Sequence, residues 1–466
     1  MSIKHYDAVI IGSGQAGTPL ASALANAGWR TALVERKYVG GTCVNWGCTP
    51  TKAMIASAQV AHMVRRSAEY GIHAEFDSTD MGQVHERTQR IVEKSRSGNM
   101  SRLEKADGLD LYMGEAHFTG VRELEIVLNE GGTVQLAADR VFINTGERPR
   151  TLDVPGFADI PVLYSHDMLA LEELPSHLVI VGSGPVGLEF AQMFARFGSH
   201  VTVIEREGRL LSREDADIAD AMYDMLCDEG VDIRLSSEVK QAERDDGGMI
   251  RIQLHDADQD TITSVTGSHV LVAIGRVPNT DMLDVEKTGL KLDDRGYIQT
   301  NDRLETDVEQ IYALGDVRGG PAFTHISYDD FRIIRANLLE DGQASIRDRM
   351  VPYVIFTDPE LGRVGITEHA AKEQGLDVQI AKLPMSSVAR AIERGKTQGL
   401  MKAVIDKKTQ HILGCAVLGI DGGELMSAIQ IAMMGQLPYT ALQNGIFAHP
   451  TLMESLNTLF SKFEDA

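Results

Sequence analysis

The sequence predicts an α/β protein: two copies of one strand–turn–helix–strand unit, then a third, mixed α+β region. Three observations carry this. A glycine pattern, Gly12-Ser-Gly14-Gln-Ala-Gly17, follows a short apolar run and opens an Ala- and Leu-rich helical pattern. The same arrangement returns at Gly182-Ser-Gly184-Pro-Val-Gly187. From about residue 347 onward no third copy appears, and strand-like runs at 351–356, 400–405 and 412–418 mix with helical patterns at 424–434 and 451–463.

The bulk properties bound what such a chain can do. A length of 466 residues is too great for one core. Hydrophobic and charged contents of 43% and 24% are those of an ordinary globular protein. A net charge of -22 argues against nucleic acid or an acidic lipid surface as partner, since both need a positive face. Four cysteines in so long a chain make no disulfide framework, so a reducing, cytoplasmic home is expected. The N-terminal MSIKHYDAVIIGSGQAG has one Lys and one His before a short, glycine-broken apolar run, which reads as a buried strand and not a signal peptide. No stretch reaches the roughly 18 apolar residues of a membrane span, so no membrane partner is expected.

The first unit begins with a strand at residues 6–11. Gly12 permits the tight turn, Gly14 lets a pyrophosphate approach the backbone, and Gly17 lets the helix pack close to the strand. The helix, read to Ala27, offers its N-terminal N–H groups to phosphate. Gly28 ends it, and a second strand at 30–35 finishes on Glu35. In the second unit a strand at 178–181 leads into Gly182, Gly184 and Gly187, a helix to Phe197, Gly198, and a strand finishing on Glu205. The acid stands 23 residues after the first glycine in both copies. One GxGxxG is a weak signal; two in full context with matched acids predict two Rossmann-like dinucleotide-binding domains. Two such sites suggest a relay between a flavin dinucleotide and a nicotinamide, without saying which unit holds which.

Between and after the units, residues 81–106 read as a long helix. Residues 109–142 alternate around Gly131-Gly132 and read as antiparallel strands that end in VFINTGERP, with Thr145 and Gly146 after the apolar run. HVLVAIGRVP, containing Gly275, ends the second unit in the same way. IYALGDV, at 311–317, reads as a buried strand closing on Gly315-Asp316. An acid there suits a sugar-like hydroxyl of a cofactor, or else caps the following helix.

GGTCVNWGCTPTK places Cys43 and Cys48 five positions apart, just after the first unit. Zinc sites pair two short Cys/His clusters, and Cys227 and Cys415 are isolated, so no metal site is expected. A staple over so short a loop gains little and is out of place in a reducing cell. Inert buried thiols are the bland alternative, opposed by the placement directly after a dinucleotide unit. A working redox pair fits best: a flavin can pass two electrons to a disulfide held against its ring. Pro50 disfavours a regular helix running straight through the pair. Thiolate character is needed for exchange, and a helix N-terminus favours it.

The chain resembles the flavin-dependent pyridine nucleotide-disulfide oxidoreductases, the group of dihydrolipoyl dehydrogenase, glutathione reductase and mercuric reductase. The resemblance covers essentially the whole chain. It rests on GSGQAG with Glu35, GGTCVNWGCTPTK, NTGERP, GSGPVGLEFA, AIGRVPNT, IYALGDV and AHPTLME, in the family order. It implies FAD on residues 1–148 and 271–346, NAD(P)H on 149–270, and a dimerisation domain at 347–466. Thr42, Thr145, Gly146, Asp316 and Gly275 join the glycines, Glu35 and Glu205 as cofactor-binding positions. By resemblance Cys48 faces the flavin and Cys43 is the interchange thiol. Lys52 lies near the flavin with Glu189 as its partner. His449 is the acid/base oriented by Glu454, reaching the cysteine pair of the other subunit of a homodimer. The expected substrate is a small-molecule or protein-linked disulfide.

Glu205 favours NADH, because a carboxylate accepts from a ribose 2′-OH and repels a 2′-phosphate, while Arg206, next in the chain, offers a 2′-phosphate a cation. Within the group, dihydrolipoyl dehydrogenase remains by subtraction. ERKYVGGTCVN and REDADI are similar to mercuric reductase, yet no Cys follows Cys415, and His449 stands where that type carries Tyr. The first helix, GTPLASALANAG, lacks the Arg of glutathione reductases. A mercuric- or quinone-type acceptor is the alternative within the family. A non-catalytic redox-sensing or scaffold subunit is the alternative outside it.

Overall fold

The computed structural model describes residues 3–463. These divide into two compact units. One takes the chain up to Met54, Gln83–Arg150 and Gly275–Arg349; the other takes Ile55–Gly82, Thr151–Ile274 and the chain from Met350 on.

The first unit is built on a six-stranded sheet. Lys4–Ile11 lies between Thr31–Glu35 and Thr133–Ile143, parallel to both. Leu109–Gly120 extends the sheet beyond Thr31–Glu35, and Ile311–Ala313 extends it beyond Thr133–Ile143, again in parallel. Val9, Ile10, Leu33, Val141 and Ile143 are fully buried, the continuous apolar run that a sheet covered on both faces requires. Residues 109–142 form antiparallel strands as expected, with Glu123–Leu128 between the two long ones. Their outer ends also join the parallel sheet, which alternation alone does not reveal. The long helix is Met81–Glu104.

IYALGDV is a strand only to Ala313. Gly315 takes φ +68, and the chain turns into a 3₁₀ segment, Gly315–Arg318. Asp330, wholly buried, holds that turn: it accepts from Gly315 N at 2.8 Å and pairs with Arg318 at 2.9 Å and Arg349 at 2.6 Å.

The second unit repeats the pattern. Asp232–Arg234, His200–Ile204, His177–Val181, His269–Val272 and Val162–Leu163 form a parallel sheet in that order. An antiparallel three-stranded sheet, Ser237–Arg244, Ile250–Asp256 and Thr261–Gly267, follows. The C-terminal region is a five-stranded antiparallel sheet, with Ile412–Gly419 between Glu360–Gly365 and Leu400–Asp406. The helix Gly422–Met434 packs on it through Leu425, Met426 and Ile429. The helix read at 451–463 is much shorter, Ser455–Leu459. Leu456, Leu459 and Phe460 fill the same core, and residues 452–454 form a turn.

Candidate active site

The two glycine turns share one construction. Gly12 has φ +102, and a Cβ there would lie 2.3 Å from Asn144 O; a Cβ on Gly17 would lie 2.0 Å from Gly12 O. Gly182 has φ +106, with a Cβ 2.7 Å from Ala273 O, and a Cβ on Gly187 would lie 2.2 Å from Gly182 O. Each helix, Gly17–Asn26 and Pro185–Phe197, is thereby pressed against its strand with its N-terminus at the turn. Around the turns, a Cβ on Gly146, Gly184 or Gly275 would meet nothing within 4 Å. These are open cradles against backbone, of the kind a pyrophosphate fills, so the residues present fit a dinucleotide in each unit.

The two acids are set in the same way. Oε2 of Glu35 accepts from Ser13 N at 3.0 Å and Ser13 Oγ at 2.6 Å, and Oε1 accepts from Lys37 N at 2.9 Å. Oε2 of Glu205 accepts from Ser183 N at 3.0 Å and Ser183 Oγ at 2.5 Å, and Oε1 accepts from Glu207 N at 3.0 Å. Both carboxylates are therefore oriented by the chain itself. Sequence reasoning singled out the acids and missed the serines, although the signal, GSG in both motifs, was there.

Thr145 is tied to Asn279 through two hydrogen bonds, Thr145 Oγ1 to Asn279 O at 3.0 Å and Asn279 Nδ2 to Thr145 O at 2.8 Å. Asp316 sits in the 3₁₀ turn, and burial, with the nearby charge of Glu147, pushes its carboxyl up to about 6. A carboxylate so poorly solvated suits a hydroxyl donor from a bound cofactor.

The thiols lie on two helices. Thr42 and Cys43 belong to the one-turn helix Gly41–Asn45, and Cys48 opens the helix Cys48–Arg65. The break between them falls at Trp46–Gly47, not at Pro50. Pro50 sits in the first turn of the longer helix, where a missing N–H costs nothing. Cys43 is half-buried and Cys48 exposed. The two thiols share a hydrogen bond, which, with burial, pushes the Cys43 thiol well above its ordinary range; the Thr324 hydroxyl and the Lys52 ammonium pull the other way. Thr324 Oγ1 also lies 3.3 Å from Cys48 Sγ. Thr324 is a site residue the sequence reading missed; 276 positions from Cys48, it carries no local signal.

The remaining candidates belong to the second unit. Glu189 is buried in the helix Pro185–Phe197, and its Oε1 accepts from Phe356 N at 2.9 Å. His449 and Glu454 form the expected pair: Nδ1 lies 2.8 Å from Glu454 Oε2 and 3.1 Å from Oε1. A carboxylate only accepts, so Nδ1 carries the proton and Nε2 is the basic nitrogen. The His449 side chain is 68% exposed.

Family comparison agrees with this geometry. The family model described as pyridine nucleotide-disulphide oxidoreductase matches residues 6–330, and that of the family's dimerisation domain matches 351–460. The probable pyridine nucleotide-disulfide oxidoreductase RclA of Escherichia coli (strain K12) is 40% identical over 98% of this chain and 99% of its own. Dihydrolipoyl dehydrogenase of Haloferax volcanii is 34% identical over 96% of this chain and 94% of its own. The solved Cu(II) complex of HOCl-induced flavoprotein disulfide reductase RclA from Escherichia coli has a TM-score of 0.89 at 39% identity, covering 99% of both chains. With its duplicated acid-and-glycine turns, its thiol pair and matches along nearly its whole length, this chain belongs to the pyridine nucleotide-disulphide oxidoreductase family.

Proposed function

We propose that the chain is an NADH-dependent FAD disulfide reductase whose electron outlet is Cys43–Cys48. The carrying observation is the placement of Cys43 and Cys48 on two successive helices separated only by Trp46–Gly47, with the Thr324 hydroxyl 3.3 Å from Cys48 Sγ. FAD, when bound, supplies the electron pair that opens the Cys43–Cys48 disulfide. Gly12, Gly14, Gly17, Glu35, Thr42, Thr145, Gly146 and Asp316 would hold it. Gly182, Gly184, Gly187 and Glu205 would hold the nicotinamide dinucleotide.

The chain's own chemistry is thiol exchange. His449 Nε2 takes the Cys43 thiol proton, the thiolate attacks a substrate disulfide, a Cys43–S–S–R bond forms as the substrate S–S bond breaks, and the leaving thiolate takes that proton back. Cys48 then attacks the Cys43 sulfur, re-forming the internal disulfide and releasing the second thiolate. Glu454 holds the His449 ring through Nδ1. The reverse sequence oxidises a dithiol, as dihydrolipoyl dehydrogenases do, and lipoamide is the first acceptor to try. We read the working form as a homodimer, on the match of residues 351–460 to the family's dimerisation domain. We assign His449 to the cysteine pair of the second subunit. Exposed Ile431 and Met434, on the helix Gly422–Met434, supply apolar surface for that association.

A second reading comes from the RclA structure described as a Cu(II) complex: Cu(II) is the acceptor, reduced at the same thiols. Soft thiolates suit Cu(I), the product of that reduction; among the described residues no cluster of three or more His, Cys, Asp or Glu could itself hold a metal ion. An acceptor panel of lipoamide, glutathione disulfide, Cu(II), mercuric ion and a quinone, run with NADH and NADPH, separates the readings. Lipoamide turnover no better than the quinone background would end lipoamide as the acceptor. Two-electron reduction should also produce a long-wavelength absorbance that Cys48→Ser abolishes; its persistence in that variant would refute the assignment of Cys48.

A further inference from the structure

We propose that Arg87 and Arg96, both on the helix Met81–Glu104, are positioning residues that hold the Cys43 and Cys48 segments in register. The proposal deepens the reading of that pair as the electron outlet and rests on it.

A disulfide forms only when the two Cβ atoms come within about 3.5–4.5 Å, so small relative movements of two segments decide whether the pair works. Here the segments are poorly able to fix themselves. Cys43 rides on a five-residue helix, too short to be stable alone. It is joined to the Cys48 helix through Trp46–Gly47, and glycine is the most permissive backbone residue.

The Cys43 helix is anchored at its start and at its end. At the start, Gly40 and Gly41 have φ +104 and +64, and a Cβ on Gly41 would lie 2.6 Å from Gly14 Cα, so the backbone rests on the phosphate-binding turn. At the end, Asn45 is 5% exposed, and its Nδ2 donates to Gly41 O at 2.9 Å and Val39 O at 3.1 Å. With Nδ2 committed to two carbonyls, Oδ1 needs a donor, and Arg96 Nε supplies it at 2.8 Å. The Arg96 guanidinium also lies 4.0 Å above the Tyr38 ring, and Tyr38 in turn packs on Trp46 with ring centroids 5.7 Å apart. The Cys48 helix is held from the same long helix: Arg87 Nη1 donates to Ala53 O at 2.7 Å. The two arginines stand about 14 Å apart along the helix axis. The helix therefore acts as a splint with one rung to each thiol-bearing segment. Neither arginine needs to touch substrate or cofactor.

The test uses full-length, FAD-loaded protein with Arg96→Met and Arg87→Met. Iodoacetamide labelling of Cys43 and Cys48, followed by mass spectrometry, and the disulfide–dithiol ratio in a dithiothreitol redox buffer both report the pair without turnover. Ferricyanide reduction by NADH draws electrons from the flavin and bypasses the thiols. Expected for either Met variant are Cys43 labelling faster by up to about tenfold, as its hydrogen bond to Cys48 is lost, and a ratio moved about threefold or more toward dithiol. Flavin content and ferricyanide rate should stay within about twofold of wild type. Wild-type labelling and ratio in Arg96→Met and Arg87→Met would overturn the proposal. Loss of flavin in parallel with the thiol change would also overturn it, by showing a general structural role. If Arg96→Met does not fold, Arg87→Met decides: faster Cys43 labelling with a ratio moved toward dithiol supports the splint, and wild-type labelling and ratio refute it. A wild type that reduces no acceptor through its thiols would sink the proposed function, whereas the labelling result would still report on the splint.

Discussion

The nucleotide preference can be worked out from Glu205. Ser183 N, Ser183 Oγ and Glu207 N fill three of the roughly four acceptor positions of its carboxylate, leaving one for a ribose hydroxyl. That charge-assisted bond is worth about 1.5–3 kcal/mol. A 2′-phosphate there would place like charge some 4 Å away, at a half-exposed site where each charge pair costs about 1–4 kcal/mol. The carboxylate should therefore prefer NADH over NADPH by about 10²-fold or more, at 1.4 kcal/mol per factor of ten. Glu205→Gln keeps the shape and removes the charge. Its kcat/KM with NADH should fall about tenfold while that with NADPH rises, moving the ratio by about 10². Measuring kcat/KM for both nucleotides with ferricyanide as acceptor keeps thiol chemistry out of the assay. Wild-type preference for NADPH, or a ratio that moves less than about threefold in the variant, would refute the argument.

Two further perturbations test other parts of the site. His449→Gln should lower disulfide turnover by about 10²–10⁴ and leave the ferricyanide rate unchanged, while Glu454→Gln, which keeps the ring but loosens its orientation, should cost about tenfold; equal losses in both assays would place His449 outside the thiol chemistry. Asp316 bears on stability: its folded-state value, raised to about 6 from 3.8, means that its contribution is intact below about pH 4 and is lost as pH rises through about 6. The cofactor-free protein should therefore gain up to about 3 kcal/mol at pH 7 from Asp316→Asn, seen as a higher Tm that disappears at pH 4, and bind FAD more weakly.

What was legible in the sequence followed from local chemistry. The glycine turns, the acids after the second strands and the thiol spacing each occupy one short segment, and the structure holds each where its segment predicts. What was not legible depended on reach. Thr324 meets Cys48 from the start of a remote helix, Asn279 clasps Thr145, and Asp330 fixes the Gly315 turn by accepting from Gly315 N while pairing with Arg318 and Arg349. The helix misread at 451–463 shows a different limit. Leu452, Leu456, Leu459 and Phe460 recur with helical spacing and all reach the core. The turn before Ser455 also brings the Glu454 carboxylate back to His449 Nδ1, which periodicity cannot report.

The duplication indicates where a family member of this kind acquires its chemistry. Both units contain the same clamp of a serine, an acid and the backbone N–H two residues after the acid, so the shared part is cofactor binding. The difference lies in the crossover that follows the acid. From Glu205 to Asp232 it carries the helix Ala216–Asp228 and returns to the sheet. From Glu35 to Leu109 it carries Cys43, Cys48 and the helix Met81–Glu104 before rejoining the sheet at the equivalent place. The rejoining strands pair in parallel with the acid-bearing strands in both units. The longer crossover thus holds the thiols and the arginines that brace them without altering the sheet beneath. Changes of acceptor specificity can be confined to that crossover, where Trp46 and Thr49 flank Cys48, while both dinucleotide clamps stay intact.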